Sequence, residues 1–342
     1  MEFQLKQRGR ASIDFAADLA GVAGRLSFSV NSELQKLELA DDMDARDEQV
    51  TAAADGINAH WFATRMGEWS GTSHGVITHE AFEEIKDELL PAFETLRQGP
   101  TQIEANPNLD YPEYWQNVDF HRTTGGWTRE HQGFIHGELI HPLYVGKNFP
   151  GGIFKQRFDV LSELPERAFA NIVEFGTSSG HYTLQLARKY PDAALTGVEL
   201  SLPMLEQAQR FANEQGLKWR LIQAPAEQTG LPDASADLVT SYILLHELPE
   251  TATRAVFAEA FRLLEPDGYV FMSDIRPTRD LDKLAQWRSM DNARRGGEPY
   301  WCEAAGLDLA AVASDAGFVD ARTYGLGQYN YPWVTIARKP KD

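Results

Sequence analysis

The chain has a single cysteine, Cys302, among 342 residues. That excludes an intrachain disulfide, and the expectation for Cys302 is a half-buried structural thiol in a reducing compartment. Basic residues are also scarce, with 32 Lys and Arg facing 50 Asp and Glu for a net charge of −18. A surface of that sign repels nucleic-acid phosphates and anionic lipid headgroups, so neither nucleic acid nor membrane is an expected partner. No apolar run reaches the roughly 18 residues of a membrane span, and the opening MEFQLKQRGRASIDF has no continuous apolar core. The expected location is the cytoplasm. Repeats and low-complexity linkers are missing too. What is present, 43% hydrophobic and 24% charged residues, is an ordinary globular balance in a chain long enough for two domains.

The stretch NIVEFGTSSGHYTLQL, residues 171–186, reads as a strand, a small-residue loop opening at Gly176, and a helix beginning near His181. Gly176 and Gly180 lack a Cβ, so the backbone can approach a ligand, and the amides at the helix start point outward. The spacing G-x-S-x-G is weak alone: it also matches the nucleophile elbow of an α/β-hydrolase, and it recurs in GTSHG at 71–75 with no strand before it. A second buried strand, 194–198, runs into Glu199. An acid at that point suits the two ribose hydroxyls of an adenosine.

In VEFGTSSG, GVELS, APAEQTGLPDASADLVTSYILLHELP and RLLEPDGYVFMSDI the sequence resembles the class I S-adenosylmethionine-dependent methyltransferases, in the small-molecule branch that includes the ubiquinone and menaquinone enzymes. The likeness covers roughly the second half of the chain. It implies S-adenosylmethionine as cofactor, a small-molecule acceptor, and an α/β fold with a seven-stranded Rossmann-like sheet whose last strand is antiparallel. Strand signals fall at 171–175, 194–198, 218–223, 237–244, 268–274, 318–324 and 332–338. The last connection, 325–331, is too short for a parallel crossover, so the final strand must run antiparallel. By the same resemblance Glu174 faces the methionine part of the cofactor, Gly176, Thr177, Ser178 and Gly180 form the loop, Glu199 takes the ribose and Leu200 packs on adenine; Tyr182, adjoining the loop, is a further cofactor-binding candidate by its position. Relatives often carry an aspartate where Pro225 stands, which leaves Ala226 and Glu227 to read the adenine edge.

Residues 1–165 read as a mainly helical domain covering the cofactor, ahead of the cofactor-binding domain at 166–342. An amphipathic helix over 78–96 shows Phe82, Ile85, Leu89, Phe93 and Leu96 on one face, with Thr78 as N-cap and a kink at Pro91. Further helices are expected over 26–39 and 50–66, and irregular structure over 99–127. Of nine histidines, seven lie in this half. His131, His136 and His141 are five apart, which on an α-helix rotates them away from one another, and no metal is expected.

Substrate-pocket candidates are His121, Arg122 and Trp127 from the crowded segment 120–152, Tyr242 in the fourth strand, and Arg276, whose charge suits a carboxylate. His246, just past the fourth strand, is the candidate general base. Three activities stay open: methyl transfer to a small metabolite; cyclisation of the cofactor's aminobutyrate moiety with release of methylthioadenosine, with His181 and Tyr182 at the sulfonium; and hydrolysis through Ser178. Hydrolysis lacks a histidine after the acid in the required order, because none follows His246.

Overall fold

The computed structural model describes residues 2–123, 125–149 and 152–341. Eight strands form one sheet: β1 Gln102–Glu104, β2 Asn171–Phe175, β3 Ala194–Glu199, β4 Trp219–Gln223, β5 Ala236–Tyr242, β6 Leu264–Asp274, β7 Val319–Gly325 and β8 Trp333–Arg338. Their order is β1-β4-β3-β2-β5-β6-β8-β7, and β8 runs antiparallel to both its neighbours. The seven strands expected from sequence are all present. The eighth, β1, was not foreseen; it pairs parallel with β4 at the sheet edge, and Arg220 of β4 holds Glu104 of β1 through Nε at 2.6 Å. Three residues carry too little alternation to announce a strand.

Both faces of the sheet are covered, which explains the near-continuous burial of β5, ADLVTSY. Alternation divides the core: Val173, Phe175, Val239 and Phe257 pack on one face, Ile172, Leu195, Leu238 and Phe271 on the other. Phe257 is fully buried, so its truncation to alanine would cost about 3–5 kcal/mol. Strand order reverses between β2 and β5. That leaves a crevice beyond their carboxyl ends, where open α/β sheets bind ligands.

The N-terminal half begins with α1 Gln7–Leu34, α2 Met43–Asp55, α3 Asn58–Glu83 and α4 Lys86–Leu96. α1 and α3 pack along each other so closely that a Cβ on Gly9 would meet that of Ala81 at 2.7 Å. The expected helix over 78–96 is two helices. Ile85, at φ −124 and ψ 0, separates α3 from α4, and burying Ile85 with Phe82 and Phe93 in one core offsets the broken helical bonds. Thr78 lies inside α3, its hydroxyl bonded to the His74 carbonyl at 2.8 Å, and Pro91 lies within α4. The expected 50–66 helix is likewise divided, at Gly56 and Ile57. Cys302 is exposed rather than half-buried. Among the described residues, no helix is long and apolar enough to cross a membrane.

Candidate active site

The loop after β2 turns through left-handed conformations at Gly176 (φ 68), Ser178 (φ 50) and Gly180 (φ 86). A Cβ on Gly180 would stand 2.9 Å from the Trp219 ring, so glycine is required there by contact as well as by φ. The amides of Gly176 and Thr177 both donate to the Val198 carbonyl, at 2.8 and 3.2 Å, which ties the loop to the end of β3. Glu199 completes the tie: its carboxylate accepts from the amides of Ser178 at 3.0 Å and Ser201 at 2.9 Å. Beneath the loop, Glu174 is 2% exposed and accepts the Thr183 hydroxyl at 2.5 Å. Burial pushes Glu174 up to about 8, and pushes Glu199 up to about 7 against its two amide bonds.

Above the loop lies a cavity of about 470 Å³. Glu174, Gly176, Thr177, Ser178, Tyr182 and Glu199 line one end, with Leu200, Ala226 and Glu227 beside them. Gly180 supports the loop from beneath and is not on the lining. One oxygen of Glu227 accepts the Tyr114 hydroxyl at 2.7 Å; the other is buried without a partner. An unpaired buried acceptor is costly, and an exocyclic amino group would satisfy it. Tyr114 and Trp115 come from the stretch 99–127, so that irregular segment forms the wall over this end.

The other end of the cavity is built by the N-terminal half. Ile135–Val145 is a π-helix, bonded i to i+5, as when the Gly146 amide donates to the His141 carbonyl. Its wider turn brings positions five apart into line, which overturns the expected divergence for His136 and His141, whose rings lie 4.0 Å apart, while His131, ahead of the π-helix, packs on Phe82 and Phe93. Trp127 meets His136 edge-on at 4.7 Å, and His74 stacks on Tyr144 at 4.7 Å and 7°. All five of these side chains line the cavity. Burial holds His136 and His141 well below the usual histidine range, so both are neutral at pH 7, and their Nδ1 atoms are buried without partners.

Arg157, which the sequence reading passed over, also lines the cavity. It is 7% exposed, it donates to the Ile153 carbonyl at 2.9 Å, and its guanidinium lies 4.9 Å over the Tyr242 ring. The signal was present in GGIFKQRF, where Ile153 and Arg157 share a helix face.

Of the expected substrate residues, His121, Trp127 and Tyr242 line the cavity, whereas Arg122 and Arg276 do not. Arg276 is turned toward the Asp280 carbonyl, a contact within its own loop. His246 is 2% exposed and lies off the cavity lining, with its ring 6.2 Å from that of His121, so it is not placed to touch an acceptor directly. His121, at a left-handed φ of 53, sits between Glu247 at 3.1 Å and Glu298. Burial opposes its charge, but hydrogen bonds to both glutamates raise it to about 10. Ser178 meets only Met204 through its hydroxyl, at 3.7 Å, and that contact supplies no base for a hydrolase nucleophile.

Residues 172–268 match the family model described as a methyltransferase domain. By that match, this segment of the chain is a methyltransferase domain. Over 36% of its length it is 33% identical to 43% of a malonyl-[acyl-carrier protein] O-methyltransferase of Hahella chejuensis. It is 29% identical to a demethylmenaquinone methyltransferase of Thermus thermophilus, over 33% of this chain and 50% of that one. These matches span about half the length of the relatives or less. Among solved structures, a Haemonchus contortus phosphoethanolamine N-methyltransferase 2 bound to S-adenosyl-L-methionine superposes with a TM-score of 0.45 at 17% identity, over 56% of this chain and 54% of that one. In the methyltransferase domain the matched residues include Glu174, the glycine loop and Glu199, whereas the π-helix and Arg157 lie outside them.

Proposed function

We propose that the protein transfers the methyl group of S-adenosylmethionine to a small-molecule acceptor held in the cavity between residues 1–165 and the cofactor-binding part, 166–342. The observation that carries this reading is the continuity of one cavity from Glu199 and Glu227, past the glycine loop, to Trp127, His136 and His141. Adenine would pack on Leu200 with Glu227 at its amino edge, and the ribose would bond Glu199. The amino-acid end is a zwitterion, and Glu174 with Arg157 would meet its ammonium and carboxylate. The sulfonium then faces the aromatic end of the cavity, where rings favour a cation.

Methyl transfer is a displacement at a sulfonium carbon with a good leaving group, so the protein's work is to align the acceptor, exclude water and, where needed, take a proton. Neutral His136 and His141, on the cavity lining where His246 is not, replace His246 as the proposed bases. Cyclisation of the cofactor alone is not favoured, since the relatives are methyltransferases. Incubation with S-adenosylmethionine, alone and with a small-metabolite extract, tests the reading by chromatography. S-adenosylhomocysteine is expected only with the extract. Methylthioadenosine formed from the cofactor alone would overturn the proposal.

A further inference from the structure

Beside the cavity, two imidazoles and three carboxylates converge. One nitrogen of His121, one of His246 and one carboxylate oxygen of Glu298 lie within 4.8 Å of one another. Each histidine is held from its far side by an acid. Asp274 at the end of β6 takes Nδ1 of His246 at 2.9 Å, while its other oxygen accepts the amides of Leu244 and Leu245 at 2.8 and 2.6 Å. Glu247 takes Nε2 of His121 at 3.1 Å. His121 contacts Glu298 through Nδ1, and Asp274 leaves Nε2 as the nitrogen that His246 can offer to the same cluster.

We propose that His121 Nδ1, His246 Nε2 and the Glu298 carboxylate bind one divalent transition-metal ion of the zinc class, the ion displacing to solvent the proton that His121 Nδ1 shares with Glu298. A carboxylate behind each ligand histidine fixes its tautomer and ring orientation, and here both histidines have one. One Glu298 oxygen touches His121 while the other is buried and has no partner, an unused ligand atom at the same point. Two imidazoles and a carboxylate suit zinc in a three-ligand site that keeps a fourth position open. Ligands about 2.1 Å from a tetrahedral ion stand roughly 3.4 Å apart, so binding would part His121 and Glu298, which now touch. His121 and Glu247 also line the cavity, so an ion held here would border the space proposed for the acceptor.

Titration of the dialysed full-length protein with Zn²⁺ by calorimetry, and with Co²⁺ followed by visible absorption, tests the site without cofactor or acceptor. One ion per chain is expected. His121→Ala and Glu298→Gln should each weaken binding by more than about 100-fold, and Glu247→Gln by roughly 10-fold. Glu298→Gln keeps the size of the side chain, so it decides the matter should His121→Ala fail to fold. A protein that takes up no ion, or one whose affinity Glu298→Gln leaves unchanged, overturns the proposal. Because uptake is read on the protein alone, its failure would leave the methyl-transfer reading standing, and the converse also holds.

Discussion

The loop after β2 and the π-helix Ile135–Val145 meet in one cavity but present their chemistry by opposite means. The loop works through backbone: left-handed turns at Gly176, Ser178 and Gly180, amides bonded to Val198 and Glu199, and small residues that allow close approach. The π-helix works through side chains, using a wider turn to stack two buried histidines that an α-helix would separate. A backbone device constrains sequence narrowly and suits a cofactor of fixed shape. A side-chain device can change residue by residue, which suits an acceptor that differs between relatives.

If this division holds, substitutions in the two regions should move different constants. The largest effect is expected on the acceptor side. His136→Ala and His141→Ala, made singly, should lower kcat by on the order of 10²-fold or more while cofactor Kd stays nearly constant, because a base acts on the acceptor proton alone. Single-turnover kinetics and cofactor titration together check this. A loss of cofactor affinity equal to the loss of rate would erase the distinction between the regions.

On the cofactor side the expected losses are smaller and appear in Kd. Glu199→Ala removes a charged acceptor from the ribose, and Arg157→Met removes the partner of the cofactor carboxylate. Each should weaken binding by about 1.5–3 kcal/mol. Arg157→Lys should recover only part of the loss, since an ammonium lacks the planar two-pronged donor set. Calorimetry showing wild-type affinity in Glu199→Ala would remove the ribose assignment, and the same result in Arg157→Met would shift the guanidinium to the acceptor.

The two regions also differ in how far sequence alone exposes them. The β2 loop was legible because glycine spacing, strand burial and an acid at the next strand end are local signals, and local signals fix that geometry. The short 325–331 connection likewise forced β8 antiparallel. His136 and His141 were visible as residues but misjudged as a pair, because the α-helical period was assumed and nothing in IHGELIHPLYV announces i to i+5 bonding. β1 and the break at Ile85 escaped for a related reason: each is stabilised by partners distant in sequence, Arg220 for the strand and the Phe82 and Phe93 core for the break. Arg157 was missed because its value lies in the unpaired charge it brings to a cavity, which only the fold creates.

The smallest predicted effect concerns pH, and its sign reverses the usual one for acids. Glu174 and Glu199 are raised by burial from 4.5 to about 8 and about 7, so in the unliganded protein they hold protons that the unfolded chain has released. Between about pH 4.5 and 8 the native state therefore binds more protons, and stability falls as pH rises. Their contribution is fully present below the unfolded value and is lost as pH passes through the folded ones. Cofactor should oppose this, because its cationic end favours ionised Glu174, so the stabilisation it gives should grow over the same window. Thermal denaturation from pH 5 to 8.5 should show the wild type losing roughly 5 °C more than a Glu174→Gln, Glu199→Gln double variant, with the gap narrowing when S-adenosylmethionine is present. Parallel curves for the two proteins would mean that neither carboxyl is protonated in the empty site. The cavity would then already carry the negative charge that this reading reserves for the bound state.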